Sequence, residues 1–127
     1  MQEKHLFEYA VIRLVPSVER QEFLNVGIIL YCPDEKILMS KTDMDEIRIS
    51  TLRPSVAIDD VREHLNAIDR ICTGGESSGP IGMLPIGERF RWLTAPRSTI
   101  VQTSPVHTGL CTDAVETMDR LLEKMVR

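Results

Sequence analysis

Two runs near the N-terminus, residues 7–15 and 23–31, constrain the fold more than any other part of the chain. Both are rich in aromatic and β-branched side chains, the composition of β-strands. In the first run Phe7, Tyr9, Val11, Arg13 and Val15 alternate onto one face, with Ala10, Ile12 and Leu14 on the other. Both faces are largely apolar, which predicts a central strand covered on two sides. Arg13 is the exception. A charge there must be paired, reach the rim, or face a ligand. In the second run Leu24, Val26, Ile28 and Leu30 are all aliphatic and are expected to face the core, with Asn25 and Gly27 opposite. A hairpin with Val15 across from Phe23 sets Arg13 against Asn25 and Val11 against Gly27. A glycine inside a strand marks a bulge or a close approach, here making room for a helix or for Trp92.

The remainder alternates short strands with helices. Residues 32–35 read as a turn, 37–40 as a third strand, and 47–50 as a strand or a helical turn. Residues 59–72 form the clearest helix, with Val61, Leu65, Ile68 and Ile71 on one stripe. Asp59 or Asp60 is expected to cap it, and Gly74–Gly75 to end it. The Ser/Gly/Pro segment 76–82 reads as a loop. Residues 85–93 read as a short helix with Arg89 and Arg91 pointing outward or along its flank. Residues 98–102 read as a last strand, 103–109 as turns, and 113–125 as a final helix capped by Asp113. The expected fold is α+β: one domain over residues 1–127, an antiparallel sheet of three to five strands, two main helices and one short helix on one face.

Charge is distributed unevenly. The chain has 15 basic and 19 acidic residues, for a net charge of −4. Nucleic acid is therefore not an expected partner. Residues 89–112 nevertheless contain three arginines, the one tryptophan, a histidine and a dense set of Ser, Thr and Gln, without a single Asp or Glu. Such an island can focus an anion on one patch. Arg97 beside Ser98, followed by Gln102, Ser104 and His107, offers a guanidinium fork and further donors suited to phosphate or carboxylate. Arg91, and Arg13 with Asn25 from the hairpin, complete the candidate set. Trp92 can stack on a base or on an arginine. A catalytic alternative, a hydrolase or phosphotransfer enzyme, would pair Ser98 or Ser104 with His107, or Cys111 with His107. No glycine pattern of a nucleophile elbow surrounds either serine.

Other signals point away from particular classes. Cys32, Cys72 and Cys111 are an odd, widely spaced set without zinc-like spacing, read as three reduced, buried thiols of a cytoplasmic protein. The acids Asp43, Asp45 and Glu46 lack the spacing of a calcium loop, so no metal is expected. No cofactor motif is present, and no apolar run approaches the length of a membrane span.

The motifs Tyr9-Ala10-Val11-Ile12-Arg13, Asn25-Val26-Gly27, Arg89-Phe90-Arg91-Trp92 with Ala95-Pro96-Arg97-Ser98, and Gln102 with Ser104-Pro105-Val106-His107-Thr108-Gly109 together resemble a bacterial domain family of unknown function. Members of that family are often encoded beside a HipA-like kinase-domain protein. The resemblance implies a small cytoplasmic accessory or binding protein, with that kinase-like protein as a candidate partner, and carries no activity with it.

Overall fold

The computed structural model describes residues 3–17 and 19–127. Strand β1 (His5–Ser17) pairs antiparallel with β2 (Glu22–Cys32), and β2 with β3 (Ile37–Thr42). On its other side β1 pairs antiparallel with β4 (Val101–Thr103) and β5 (His107–Cys111), which follow one another along its length. β1 is thus the centre of a five-stranded antiparallel sheet, as its two apolar faces require.

Two hydrophobic clusters lie on opposite sides of this sheet. Ile12, Leu14, Val26 and Ile29 meet Ile49 of α1 (Glu46–Leu52), Val61 and Leu65 of α2 (Ile58–Thr73), and Phe90 and Leu93 of α4 (Ile86–Leu93). Phe7, Val11, Ile28 and Leu30 meet Ala114, Met118 and Leu122 of α5 (Ala114–Met125). Helices therefore cover both faces, not one, and among the described residues they number five, not three, because α1 and α3 (Gly79–Gly82), the latter after a 3-10 turn at Glu76–Ser78, join the expected set. The loop expected over 76–82 is replaced by these short turns, with Pro80 in the first turn of α3, a position where its missing N–H costs nothing.

The hairpin holds a correction with consequences for the core. Arg13 does lie opposite Asn25, but Gly27 lies opposite Ile12 and Ile28 opposite Val11, leaving Val26 as the extra residue of a β-bulge. The bulge flips the alternation, so Leu24 and Val26 join one cluster while Ile28 and Leu30 join the other. Every second residue of β2 was expected on one face. One inserted residue divides them between two cores. Gly27 marks a close approach to β3, not to a helix or Trp92: an added Cβ would stand 2.7 Å from the Lys41 carbonyl oxygen. A second irregularity, between Leu14 and Ser17, lets β1 run past Pro16, which has no N–H to contribute to a regular ladder.

Further boundaries shift for physical reasons. Residues 47–50 are helical, because the Asp45 carboxylate accepts the backbone N–H groups of Ile47 and Arg48 and caps α1. The cap of α2 is Ala57, without a side-chain bond, so Asp59 and Asp60 sit inside the first turn where they favour the helix dipole. Asp113 caps α5 as its position suggests. The strand expected at 98–102 begins only at Val101, and the turns expected over 103–109 give way to β5. Between β4 and β5 the ladder breaks at Ser104, whose hydroxyl accepts the Val11 N–H at 2.9 Å while its own N–H donates to the Val11 carbonyl. The side chain thus keeps a central backbone donor satisfied where the ladder is interrupted.

Arg89 is buried instead of exposed. Its Nε donates to the Leu84 carbonyl and its Nη1 to the carbonyls of Ile71 and Cys72, each at 2.9 Å. These last two are acceptors left unpaired at the end of α2, so Arg89 acts as a cap for that helix. Gly74 follows with φ of 80°, and a Cβ there would stand 2.6 Å from Arg89 Nη1.

Candidate functional site

Arg13, Arg97, Ser98 and Gln102 come together on one groove of about 420 Å³, completed by Val15, Gln21 and Phe23. β1 supplies Arg13 and Val15, the turn into β2 supplies Gln21, and β2 supplies Phe23. Arg97 and Ser98 come from the segment after α4. Gln102 lies on β4, directly opposite Arg13. No acidic residue lines the groove.

Each arginine sits over the face of an aromatic ring. The guanidinium carbon of Arg13 lies 4.2 Å from the centroid of Phe23, and that of Arg97 lies 4.3 Å from the centroid of Trp92. Arg97 also donates from Nη2 to the Trp92 carbonyl. Stacking fixes the planar fork and leaves its edge free to donate. Among the described residues neither guanidinium has a carboxylate partner. The nearest acid along β2, Glu22, is already paired with Arg20. Gln102 donates from Nε2 to the Thr99 carbonyl at 2.8 Å, which fixes its side chain at the groove wall.

Arg13 Nε and Asn25 Oδ1 are the two buried side-chain polar atoms without a hydrogen-bond partner among the described residues. They belong to cross-strand neighbours. An unsatisfied buried polar group costs about 1–3 kcal/mol, so this cross-strand pair is a local cost to the sheet; Arg13 lines the groove and Asn25 does not. The Asn25 amide nitrogen is committed elsewhere, donating to the Met125 carbonyl at 3.0 Å and tying the sheet to the end of α5.

The other candidates lie apart from the groove. Arg91 pairs with Glu8 at 2.9 Å, so its charge is already neutralised. The Ser104 hydroxyl accepts from Val11 N–H and donates to the Pro105 carbonyl, both structural bonds. His107 is exposed on β5 and packs against Tyr9 in a tilted pair with ring centroids 5.3 Å apart. Among the described residues no hydrogen bond joins His107 to Ser98 or Ser104. His107 and Cys111 sit at opposite ends of an extended strand, roughly 13 Å apart at strand rise, too far for a nucleophile and base. The hairpin register held one cue that went unread: Phe23 is two residues from Asn25 on the same strand face, so it falls diagonally beside Arg13.

The thiols are buried and free. Burial pushes the Cys72 thiol up to about 12, and it also raises that of Cys111. A thiol held protonated in this way is a poor nucleophile. Among the described residues no three His, Cys, Asp or Glu side chains gather as a metal site. The acids of 43–46 are engaged instead: Asp43 with Arg127, Asp45 with the α1 N-terminus, Glu46 with Arg62. A groove of about 400 Å³ beside α2 mixes Asp60 and Glu63 with Arg70 and so favours neither sign of charge. Among the described residues no helix is long and apolar enough to cross a membrane.

No curated protein and no solved structure matches the chain. The sequence pattern of a family described as a protein of unknown function, DUF3037, matches residues 9–126. That span takes in the central hairpin, the groove-lining residues and α5, and the chain belongs to the DUF3037 family.

Proposed function

We propose that this chain is a non-enzymatic binding module that receives an anionic group, phosphate or carboxylate, carried by a partner protein. The observation that supports this most directly is the convergence of Arg13 and Arg97, both stacked and both without an internal carboxylate, on one acid-free groove. Each fork can offer two parallel N–H groups to an oxyanion, and charge-assisted bonds of this kind are about twice as strong as neutral ones. Ser98 and Gln102 add a hydroxyl and an amide at the wall, while Asn25, opposite Arg13 on β2, makes no hydrogen bond to it and lies outside the groove lining. Arg91, Ser104 and His107 have structural or peripheral roles in this reading. The setting is a bacterial cytoplasm, and a HipA-like kinase-domain protein or a phosphorylated side chain is the proposed carrier of the anion.

The test is a titration with inorganic phosphate and with a phosphoserine peptide, followed by Trp92 fluorescence and by arginine side-chain resonances. Arg13→Gln and Arg97→Gln should each weaken binding about tenfold or more. Arg91→Gln should leave it unchanged. Co-purification with the kinase-like protein should fall with Arg97→Gln. Equal affinity in all three variants would remove the groove from consideration.

A further inference from the structure

Phe23 borders a second groove as well as the first. This one has a volume of about 570 Å³ and lies between Phe23 and Leu24 of β2 and Ile47, Thr51 and Leu52 of α1. Its walls are apolar and open. Ile47 is 80% exposed and Phe23 47%, high values for large apolar side chains in regular structure. Scattered exposed apolar residues are ordinary, but these two line one cleft.

Among the described residues the outer edge of β2 beside the cleft has no strand partner, while its inner edge pairs with β1. β3 pairs with β2 only from Gly27↔Thr42 to Cys32↔Ile37. The start of β2, residues 22–25, therefore has no strand on its outer edge, because the sheet order places only β3 there. An open edge presents N–H and C=O groups that an extended peptide can join. Charge adds the third element. Arg13 and Arg97 lie past Phe23 on one side, and Arg48 stands on the rim of the apolar cleft, its Nη1 bonded to a backbone carbonyl, that of Val126. Glu22, the one acid on that rim, is neutralised by Arg20.

We infer that the ligand is an extended peptide segment of a partner protein carrying an acidic side chain close in sequence to a large apolar one. Its backbone adds to the free edge of β2 at residues 22–25. Its apolar side chain fills the cleft between Phe23 and Ile47. Its acidic group passes Phe23 to reach Arg13 and Arg97. This deepens the anion-site reading and rests on it: the arginines supply charge recognition, while the cleft and the edge set which acidic segments are accepted.

The experiment is selection of a randomised library of short peptides on the full chain, followed by affinity measurement of the enriched peptides. Enriched sequences should combine Asp or Glu with a nearby Leu, Ile, Phe or Trp. Ile47→Ser, which adds no charge, should weaken them about tenfold, the weight of one apolar side chain in a pocket. Thr51→Gln, an uncharged and longer side chain at an exposed helix position lining the cleft, should do the same, and neither variant should alter the binding of inorganic phosphate. Enrichment of acidic peptides without an apolar preference, or full affinity in both cleft variants, overturns the peptide inference and leaves the anion site standing. Failure of phosphate and of every acidic peptide to bind overturns both.

Discussion

The Arg97 guanidinium carbon lies over Trp92, 4.3 Å from the ring centroid, and Arg97 also donates to the Trp92 backbone carbonyl. This pair explains why the one tryptophan of the chain is not in the core. Trp92 is 40% exposed and works as a shelf that holds a guanidinium over a groove.

Replacing Trp92 with Leu removes the shelf but leaves Arg97 in the chain. Cation–π contacts at exposed sites contribute about 0.5–1 kcal/mol. Phosphate affinity should therefore fall roughly two- to fivefold, less than in Arg97→Gln, while the thermal midpoint moves by only a few degrees. Titration and a melt on the same sample check this. An unchanged affinity would show that Arg97 needs no stacking partner.

Arg89→Met should be far more damaging. It deletes a buried guanidinium that satisfies the carbonyls of Leu84, Ile71 and Cys72. Unsatisfied buried acceptors cost about 1–3 kcal/mol each, with imperfect additivity, so a loss of about 2–4 kcal/mol is expected. Arg89→Lys should not restore it, because one ammonium cannot reproduce the planar fork. Denaturant unfolding measures both.

Gly27→Ala and Gly109→Ala should each destabilise by about 1–3 kcal/mol through overpacking. A Cβ at 27 meets the Lys41 carbonyl oxygen at 2.7 Å, and one at 109 meets the Phe7 ring at the same distance. The backbone carbonyl of β3 yields less than a ring, so Gly27→Ala should be the worse of the two. Denaturation midpoints of the two variants decide the order.

Cys72 should make stability depend on alkaline pH. Burial, reinforced by Asp69 and opposed by the Ser40 hydroxyl and Arg89, lifts its thiol from 9.0 to about 12. The native state keeps a proton that the unfolded chain releases near pH 9. The stabilisation is complete below that pH and is lost as pH rises from 9 towards 12. Cys72→Ala should show a shallower decline over that window than the parent. Native protein at pH 8 should also resist iodoacetamide at Cys72 until it is unfolded. Rapid native labelling would contradict the buried placement.

The sequence was legible where pattern and packing agree. The two-faced apolar character of residues 7–15 identified the central strand, and the hairpin placed Arg13 against Asn25. Asp113 announced α5. It was illegible where one residue changes the count. Gly27 signals a bulge or a close approach without saying which or where, yet the bulge at Val26 decides which core receives Ile28 and Leu30. Arg89 and Arg91 look alike in sequence as well. One caps α2 and the other pairs with Glu8, a difference made by what packs against each. Of the proposed site residues, Arg13, Arg97, Ser98 and Gln102 share a groove because β4 pairs with β1, a contact between distant segments that spacing alone does not give.

That same pairing has a consequence for when the groove exists. Val11 and Ser104 are 93 residues apart, so the middle strand gains its second neighbour only after most of the polypeptide has been synthesised. Distant pairings of this kind are slow to form, and until then the hairpin exposes an unsatisfied edge. Arg13 and Arg97 are strangers during that interval. A partner that recognises them together recognises only chains in which β4 has docked on β1, and a nascent chain that ends before β4 is invisible to it.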